Sequence, residues 1–294
     1  MSSGRDHWPE LAAVYRDVGP PLRPCDDDLA IIRRLLLPAA KGSPANHVRM
    51  DNISPRPLRV LIMGATEEYS RLPWPAGSRV MAVDHNPDAL RSMWPGPPET
   101  TIVCDWRQID LPDAAVDVVL CDGGLGLVDA PRGLSAVARE VSRILVQGGL
   151  FAARLFVPPP VGKRESVDTI RAAFLDGSIA DVNRLKMRLW FALQEDPSEG
   201  VALSKVWDAV ASWDVDADRA ARSLGWPGRW RRTLEPYRGS GARYCLPPTD
   251  EVTSIISAAA PLLTLERTIE PPYEMGTQCP TVVMRRIVRR DEAE

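Results

Sequence analysis

Three short apolar runs each end on a residue with chemistry to offer. Leu58-Arg59-Val60-Leu61-Ile62-Met63 stops at Gly64, Arg79-Val80-Met81-Ala82-Val83 stops at Asp84, and Val116-Asp117-Val118-Val119-Leu120-Cys121 stops at Asp122. Continuous runs rich in β-branched residues, separated by segments of helical length, predict buried parallel strands. In such a sheet a ligand lies outside the carboxyl ends of the strands, where Gly64, Asp84 and Asp122 all fall. Each residue alone has a plainer use, since a carboxylate after a strand often caps a helix and a glycine often serves a tight turn. The spacing is more specific. Asp84 lies about 20 residues beyond Gly64, where a second-strand carboxylate meets the two hydroxyls of an unmodified ribose. Together they predict a nucleotide-type site.

Further pieces extend the pattern. Cys104-Asp105-Trp106 follows a third strand, and Leu120-Cys121-Asp122-Gly123-Gly124 follows a fourth. The segment from Glu140 to Phe151 reads as a helix, a Gly148-Gly149 turn and a fifth strand. On these residues the stretch resembles the class I S-adenosylmethionine-dependent methyltransferases. The helix, Gly-Gly and strand signature is the most specific match, because dehydrogenases do not usually carry it. The resemblance implies that S-adenosyl-L-methionine is the cofactor. By it Asp84 binds the ribose with His85 beside it, and Asp105 and Trp106 meet the adenine. Asp122 and Gly123 then face the methionine end, Gly64, Ala65 and Glu67 form the first loop, and Tyr15 belongs to a lid.

The first loop departs from the family pattern. An acid usually stands two residues before the first glycine, where this chain has Ile62, and Glu67 and Glu68 stand where a small residue and a glycine are expected. Either Glu67 or Glu68 replaces the missing acid at the cofactor's ammonium, or both simply favour the N-terminus of the next helix.

The elements that must position these residues are legible to different degrees. Helices are expected at 7–17 and 27–37, the second broken by Pro38, followed by a loop at 41–57. The core then reads as strand 58–63, helix 66–72, strand 79–84, helix 87–94, strand 101–104, strand 116–121, helix 131–146 and strand 149–157. Four helices follow between 164 and 236, the last two at 202–213 and 217–224. Their aromatics, among them Trp190, Phe191, Trp207 and Trp213, serve either as a core or as the wall of an acceptor site. A helix at 250–260, with Thr249 as its cap, and strands at 262–267 and 281–286 return to the sheet. The expected fold is α/β, a doubly wound and mostly parallel seven-stranded sheet with an antiparallel last strand. Four parts are expected: an N-terminal helical cap at 1–55, a Rossmann-like core at 56–163, a helical insertion at 164–245, and the end of the sheet at 246–294.

Composition narrows the function. The chain of 294 residues, 45% hydrophobic and 26% charged, can bury a core without staples. A net charge of −3 argues against broad affinity for nucleic acid or membrane, and Arg229-Trp230-Arg231-Arg232 and Arg285-Arg286 read as solvated faces. Five cysteines and three histidines form no metal-ligand spacing, so no metal is expected. No signal pattern or long apolar run is present, which gives a cytoplasmic expectation. Methyl transfer is an in-line displacement and needs a base only when the acceptor arrives protonated, so no catalytic residue is assigned. His7, Tyr15, Tyr69, Tyr244, Tyr273 and Arg154 are candidate acceptor contacts, with Arg154 equally a salt bridge inside the fold. The expected activity is methyl transfer to O, N or S of a small molecule. The alternatives are a non-catalytic protein that binds the cofactor or S-adenosylhomocysteine, and a nicotinamide-dependent oxidoreductase. The oligomeric state stays open, a homodimer included.

Overall fold

The computed structural model describes residues 8–36 and 56–287. His7, the loop at 41–55, Pro38 and the tail after 287 lie outside the described residues, so the readings made on them have no counterpart below. Nine strands are described: β1 (Arg59–Met63), β2 (Arg79–Asp84), β3 (Thr101–Val103), β4 (Val116–Asp122), β5 (Leu145–Arg154), β6 (Val201–Ala202), β7 (Arg243–Tyr244), β8 (Leu263–Ile269) and β9 (Thr281–Arg286). Among them run helices α1 (Trp8–Val14), α2 (Asp26–Leu36), α3 (Glu67–Ser70), α4 (Pro87–Met93), α5 (Arg132–Ile144), α6 (Val167–Leu175), α7 (Val182–Leu193), α8 (Leu203–Ala211), α9 (Asp214–Ser223) and α10 (Thr249–Ala259).

The apolar runs are central strands because both of their faces are covered. On one face Leu61, Met63 and Val119 pack with Val137 and Val141 of α5 and Ile256 of α10. On the other, Val60, Ile62 and Leu120 pack with Ile32 and Leu35 of α2 and Leu90 of α4. The sheet order is β3-β2-β1-β4-β5-β9-β8, and only β9 runs antiparallel to its neighbours. The chain therefore reverses direction across the sheet between β1 and β4, which opens a crevice at their carboxyl ends. Register makes that edge level: Met63 pairs with Val83 and with Cys121, so Gly64, Asp84 and Asp122 emerge together.

Some boundaries differ from expectation for identifiable reasons. The fifth strand begins at Leu145, not at 149, because Val116 pairs with Leu145 and Val118 with Leu150. The Gly148-Gly149 pair thus loops out inside β5, and Gly148 takes the left-handed conformation that such a bulge requires. α3 is a single turn. α10 begins at Thr249 itself, after Pro248, so Thr249 is not its cap and makes no capping hydrogen bond. In the inserted segment the third and fourth helices meet at Ser212-Trp213, earlier than expected, and the short β6–β7 ribbon was not foreseen. The insert has its own core, in which Phe174, Trp213, Trp226 and Trp230 cluster at centroid distances of 5.1 to 5.8 Å.

At the amino ends of the strands Asp117 ties β4 to β1. Its oxygens accept from Arg56 Nη2 at 2.8 Å, from the Arg59 amide at 2.8 Å and from Arg59 Nε at 3.2 Å. Burial pushes this carboxyl up, but Arg56 and Arg59 outweigh burial and hold it at about 2. Because the folded value lies below the ordinary 3.8, the stabilisation is present above that pH and is lost as pH falls towards 2. Both arginines are half exposed, so the worth is modest. Asp117→Asn is expected to cost about 1–2 kcal/mol in urea unfolding at pH 7 and almost nothing near pH 2.

Candidate functional site

The carboxyl edge of the sheet carries three neighbouring features. The first surrounds Asp84. Asp84 Oδ1 accepts from the Asn86 amide at 2.8 Å and lies 3.3 Å from His85 Nδ1, while Asn86 caps α4 through the Asp88 and Ala89 amides. These bonds fix the carboxylate at the mouth of a cavity of about 240 Å³, which Asp105, Trp106, Arg107, Leu127 and Asp129 also line. Asp105 pairs with Arg107 at 2.6 Å, and the hydrogen bonds from Arg107 hold its carboxyl below the usual range. Trp106 is buried, and its Nε1 donates to the Val83 carbonyl at 2.8 Å, so the ring lies beside Gly64 and Gly124 as a wall of the cavity. His85, expected beside Asp84, is mostly exposed there.

The second feature is the first loop. Ile62 is sealed in the sheet, and Gly64 turns with φ +87°, its amide donating to the Val83 carbonyl at 2.8 Å. Ala65 is buried, and Tyr69 is a fully buried core residue of this loop. Glu67 and Glu68 both face Arg23, a residue the sequence reading passed over. Arg23 Nη2 reaches Glu67 Oε1 at 2.7 Å and Arg23 Nε reaches Glu68 Oε1 at 2.6 Å. The Tyr15 ring lies 4.6 Å from the guanidinium. Glu67 is also paired with Arg71 at 2.8 Å. Glu68 Oε2, in contrast, is buried and has no hydrogen-bond partner among the described residues.

The third feature joins β4 to the inserted segment. Asp122 is bound by Arg154 Nε at 2.6 Å, and Arg154 also donates to the Pro21 carbonyl at 2.7 Å and lies 3.5 Å from Asp28. Tyr273 donates to Asp28 at 3.0 Å. Of the two readings of Arg154, the salt bridge inside the fold is the one realised. Burial pushes the Asp122 carboxyl up and the adjacent Arg154 pulls it back, while Asp122 and Asp28 keep the guanidinium charged against its own burial. Gly123, with φ +63°, leaves no room for a side chain because a Cβ would collide with Phe156.

Beyond Gly123 lies a cavity of about 90 Å³ bounded by Tyr15, Phe156, Trp190, Tyr237, Tyr244 and Lys186. Tyr15 therefore covers this edge from above, and Tyr244 is in the cavity, whereas Tyr273 bonds to Asp28 and Arg154. Lys186 was not among the sequence candidates. It lies in a helix buried on nearly every side, so no periodicity distinguishes it. Its Nζ donates to Thr233 Oγ1 at 3.2 Å, and burial pushes it down to about 7, with Asp181 opposing. Among the described residues no group of three or more His, Cys, Asp or Glu is placed to hold a metal ion.

The depressed Lys186 value has a definite sign. The unfolded chain binds the extra proton between pH 7 and 10.5, so stability rises with pH across that window. Lys186→Met removes this penalty but leaves the Thr233 hydroxyl without its donor. The variant is expected to be roughly 2–4 kcal/mol more stable at pH 7, with the gain disappearing above pH ~10. Chemical denaturation across pH checks this; a gain that did not depend on pH would contradict it.

Comparison with known proteins accords with this geometry. Residues 63–153 match a family model described as a methyltransferase domain. No curated protein matches the sequence. Among solved structures, a protein from Rhodobacter sphaeroides described as a Zn-dependent alcohol dehydrogenase is similar at a TM-score of 0.54 and 16% identity, over 95% of this chain and 98% of that one. A chain from the Haloferax volcanii complex of the Trm112 methyltransferase activator with a methyltransferase is similar at 0.50 and 12% identity, over 97% and 100%. At such identities the likeness concerns the fold, which is the sheet order described above. The matched stretch, which runs from the last residue of β1 into β5, is thus similar to a methyltransferase domain, and it lies within the Rossmann-like sheet described above.

Proposed function

We propose that this protein is an enzyme that transfers a methyl group from S-adenosylmethionine to a small-molecule acceptor. The observation that carries the reading is Glu68 Oε2, a buried carboxylate oxygen without a donor, beside the Gly64 turn where the domain family holds the methionine end. A buried acceptor left unpaired costs about 1–3 kcal/mol, and the ammonium of the cofactor is a donor of the right charge. Arg23, already held by Glu67 and Glu68, is the cation available to the cofactor's carboxylate. Asp84 would hold the ribose and Asp105 and Trp106 the adenine, since they line one cavity at the end of β2.

When bound, the cofactor supplies an activated methyl for in-line displacement. The chain's own residues supply position. Asp84 and Glu68 would fix the two ends of the cofactor. The segment from Tyr15 to Arg23 closes over the edge, pinned by Pro21 to Arg154 and by Arg23 to the glutamates, and so excludes water. The acceptor would enter the cavity beyond Gly123, whose walls come from the N-terminal segment, the turn after β4 and the inserted segment.

Calorimetric titration with S-adenosylhomocysteine tests the assignment. Asp84→Ala is expected to weaken binding about tenfold to a hundredfold, through loss of charge-assisted hydrogen bonds to the ribose. Glu68→Gln is expected to weaken it roughly tenfold, and Glu67→Gln only about twofold, because Glu67 already has two arginine partners. Equal affinity of wild type and Asp84→Ala would sink the ribose role, and equal loss in both glutamate variants would sink the special role of Glu68.

A further inference from the structure

Lys186 is a buried titratable group that cofactor binding does not use. It sits on α7 between Leu185 and Met187, whose side chains build the core of the inserted segment. It is 1% exposed, and Asp181, the acid acting on it, is itself paired with Arg184. Burying an ammonium without a paired carboxylate is costly, and a methionine would fill the same space without the cost. Lys186 nonetheless lines the cavity that Asp122 and Gly123 also border.

We propose that Lys186 is the catalytic base for an aromatic acceptor, binding its phenolic hydroxyl in this cavity and accepting the proton as the methyl is transferred. The inference rests on the methyl-transfer reading and specifies its acceptor. The cavity wall is aromatic, which favours an aromatic acceptor: Phe156 packs on Trp190 at 6.0 Å between centroids, and Tyr244 meets Trp190 edge-on at 5.0 Å. At about 90 Å³ the cavity is smaller than the roughly 150 Å³ needed to enclose a benzene ring, so it takes the hydroxyl-bearing end of the acceptor. The rest of the ring would then lie against Leu11 and Leu22 of the N-terminal segment.

The proton transfer is chemically matched. Burial lowers the Lys186 amine to about 7, so a substantial fraction is neutral near pH 7 and most of it above, with a lone pair to offer. A phenol titrates near 10, within reach of such a base, whereas an aliphatic alcohol is far too weak an acid. The O–H proton passes to Nζ, the oxygen lone pair forms the new bond to the methyl carbon, and the carbon–sulfur bond breaks with its electrons left on sulfur. One positive charge is lost at sulfur and one is gained on the ammonium. The other groups around the amine do not compete for the role. The Tyr237 ring lies 5.9 Å away, and burial pushes both the Tyr237 and the Tyr244 phenol up, so both stay neutral. Asp122, across the cavity, is engaged by Arg154.

The test uses 4-nitrophenol, whose phenolate absorbs distinctly from the phenol, with the intact chain saturated by S-adenosylhomocysteine. Wild type is expected to bind the probe and raise its phenolate band, with Lys186→Met binding at least roughly tenfold more weakly and without the band, a change of about one pKa unit. S-adenosylhomocysteine affinity should be the same in both, measured by calorimetry. Equal probe binding and ionisation in the two proteins, or no probe binding while S-adenosylhomocysteine still binds, would overturn the role of Lys186 and leave the cofactor reading intact. Failure of wild type to bind S-adenosylhomocysteine would instead overturn the methyl-transfer reading on which the proposal rests.

Discussion

Arg154 carries a permanent charge with none of its side chain exposed, and the surroundings at the carboxyl edge of the sheet are organised to make that tolerable. An isolated buried ion is strongly unfavourable, so it must be paired and its donors must be bonded. The partners come from distant parts of the chain: Asp122 at the end of β4, Asp28 at the start of α2, the Pro21 carbonyl before it, and Tyr273 in the loop ahead of β9. Pairing one guanidinium through Nε and Nη1, with Nη2 left without a partner among the described residues, draws the N-terminal segment down onto the edge of the sheet. Removing any carboxylate of this group would leave charge uncompensated, which is why the segment above the crevice has a defined place.

That placement brings Arg23 and Tyr15 to the first loop. Arg23 lies between Glu67 and Glu68, and these acids, which would repel the carboxylate of a bound amino acid if alone, become part of a mixed-charge site. On the proposed function, a zwitterionic methionine end would find both signs within reach here, since Arg23 contacts both glutamates directly. The two acids that replace the usual glycine-rich pattern are thus both paired with a residue from another segment. The two glutamates are not equivalent, because Glu67 shares its charge with Arg71 while Glu68 keeps one oxygen unbonded among the described residues.

The inserted helices complete the edge on the far side of Gly123. They pack through their own aromatic core, and Trp190, Tyr237 and Tyr244 contribute both to that core and to the cavity wall. The two readings of the insert's aromatics are therefore divided among residues. Trp213, Trp226 and Trp230 surround Phe174 inside the insert, whereas Trp190 meets Phe156, two residues beyond the end of β5. Lys186 is a polar exception in that core: Thr233 takes one hydrogen bond, and burial weakens the amine's hold on its proton.

The sequence by itself determined the sheet. Continuous β-branched runs, helices of the right length between them, and the Gly148-Gly149 pair are local patterns, and burial on both faces leaves them one arrangement. It also determined that Gly64, Asp84 and Asp122 share an edge, since each ends a strand whose register is set by its apolar run. What those residues bond to was decided only by the tertiary structure. Arg23 and Glu68 are 45 positions apart, and Arg154 and Pro21 are 133 apart, so no local periodicity relates them. Lys186 was hidden for a different reason: periodicity reports which face of a helix is buried, and α7 is buried almost all round. Ion pairing and the cost of buried charge act through space, and only the crossing of distant elements fixes which charges meet.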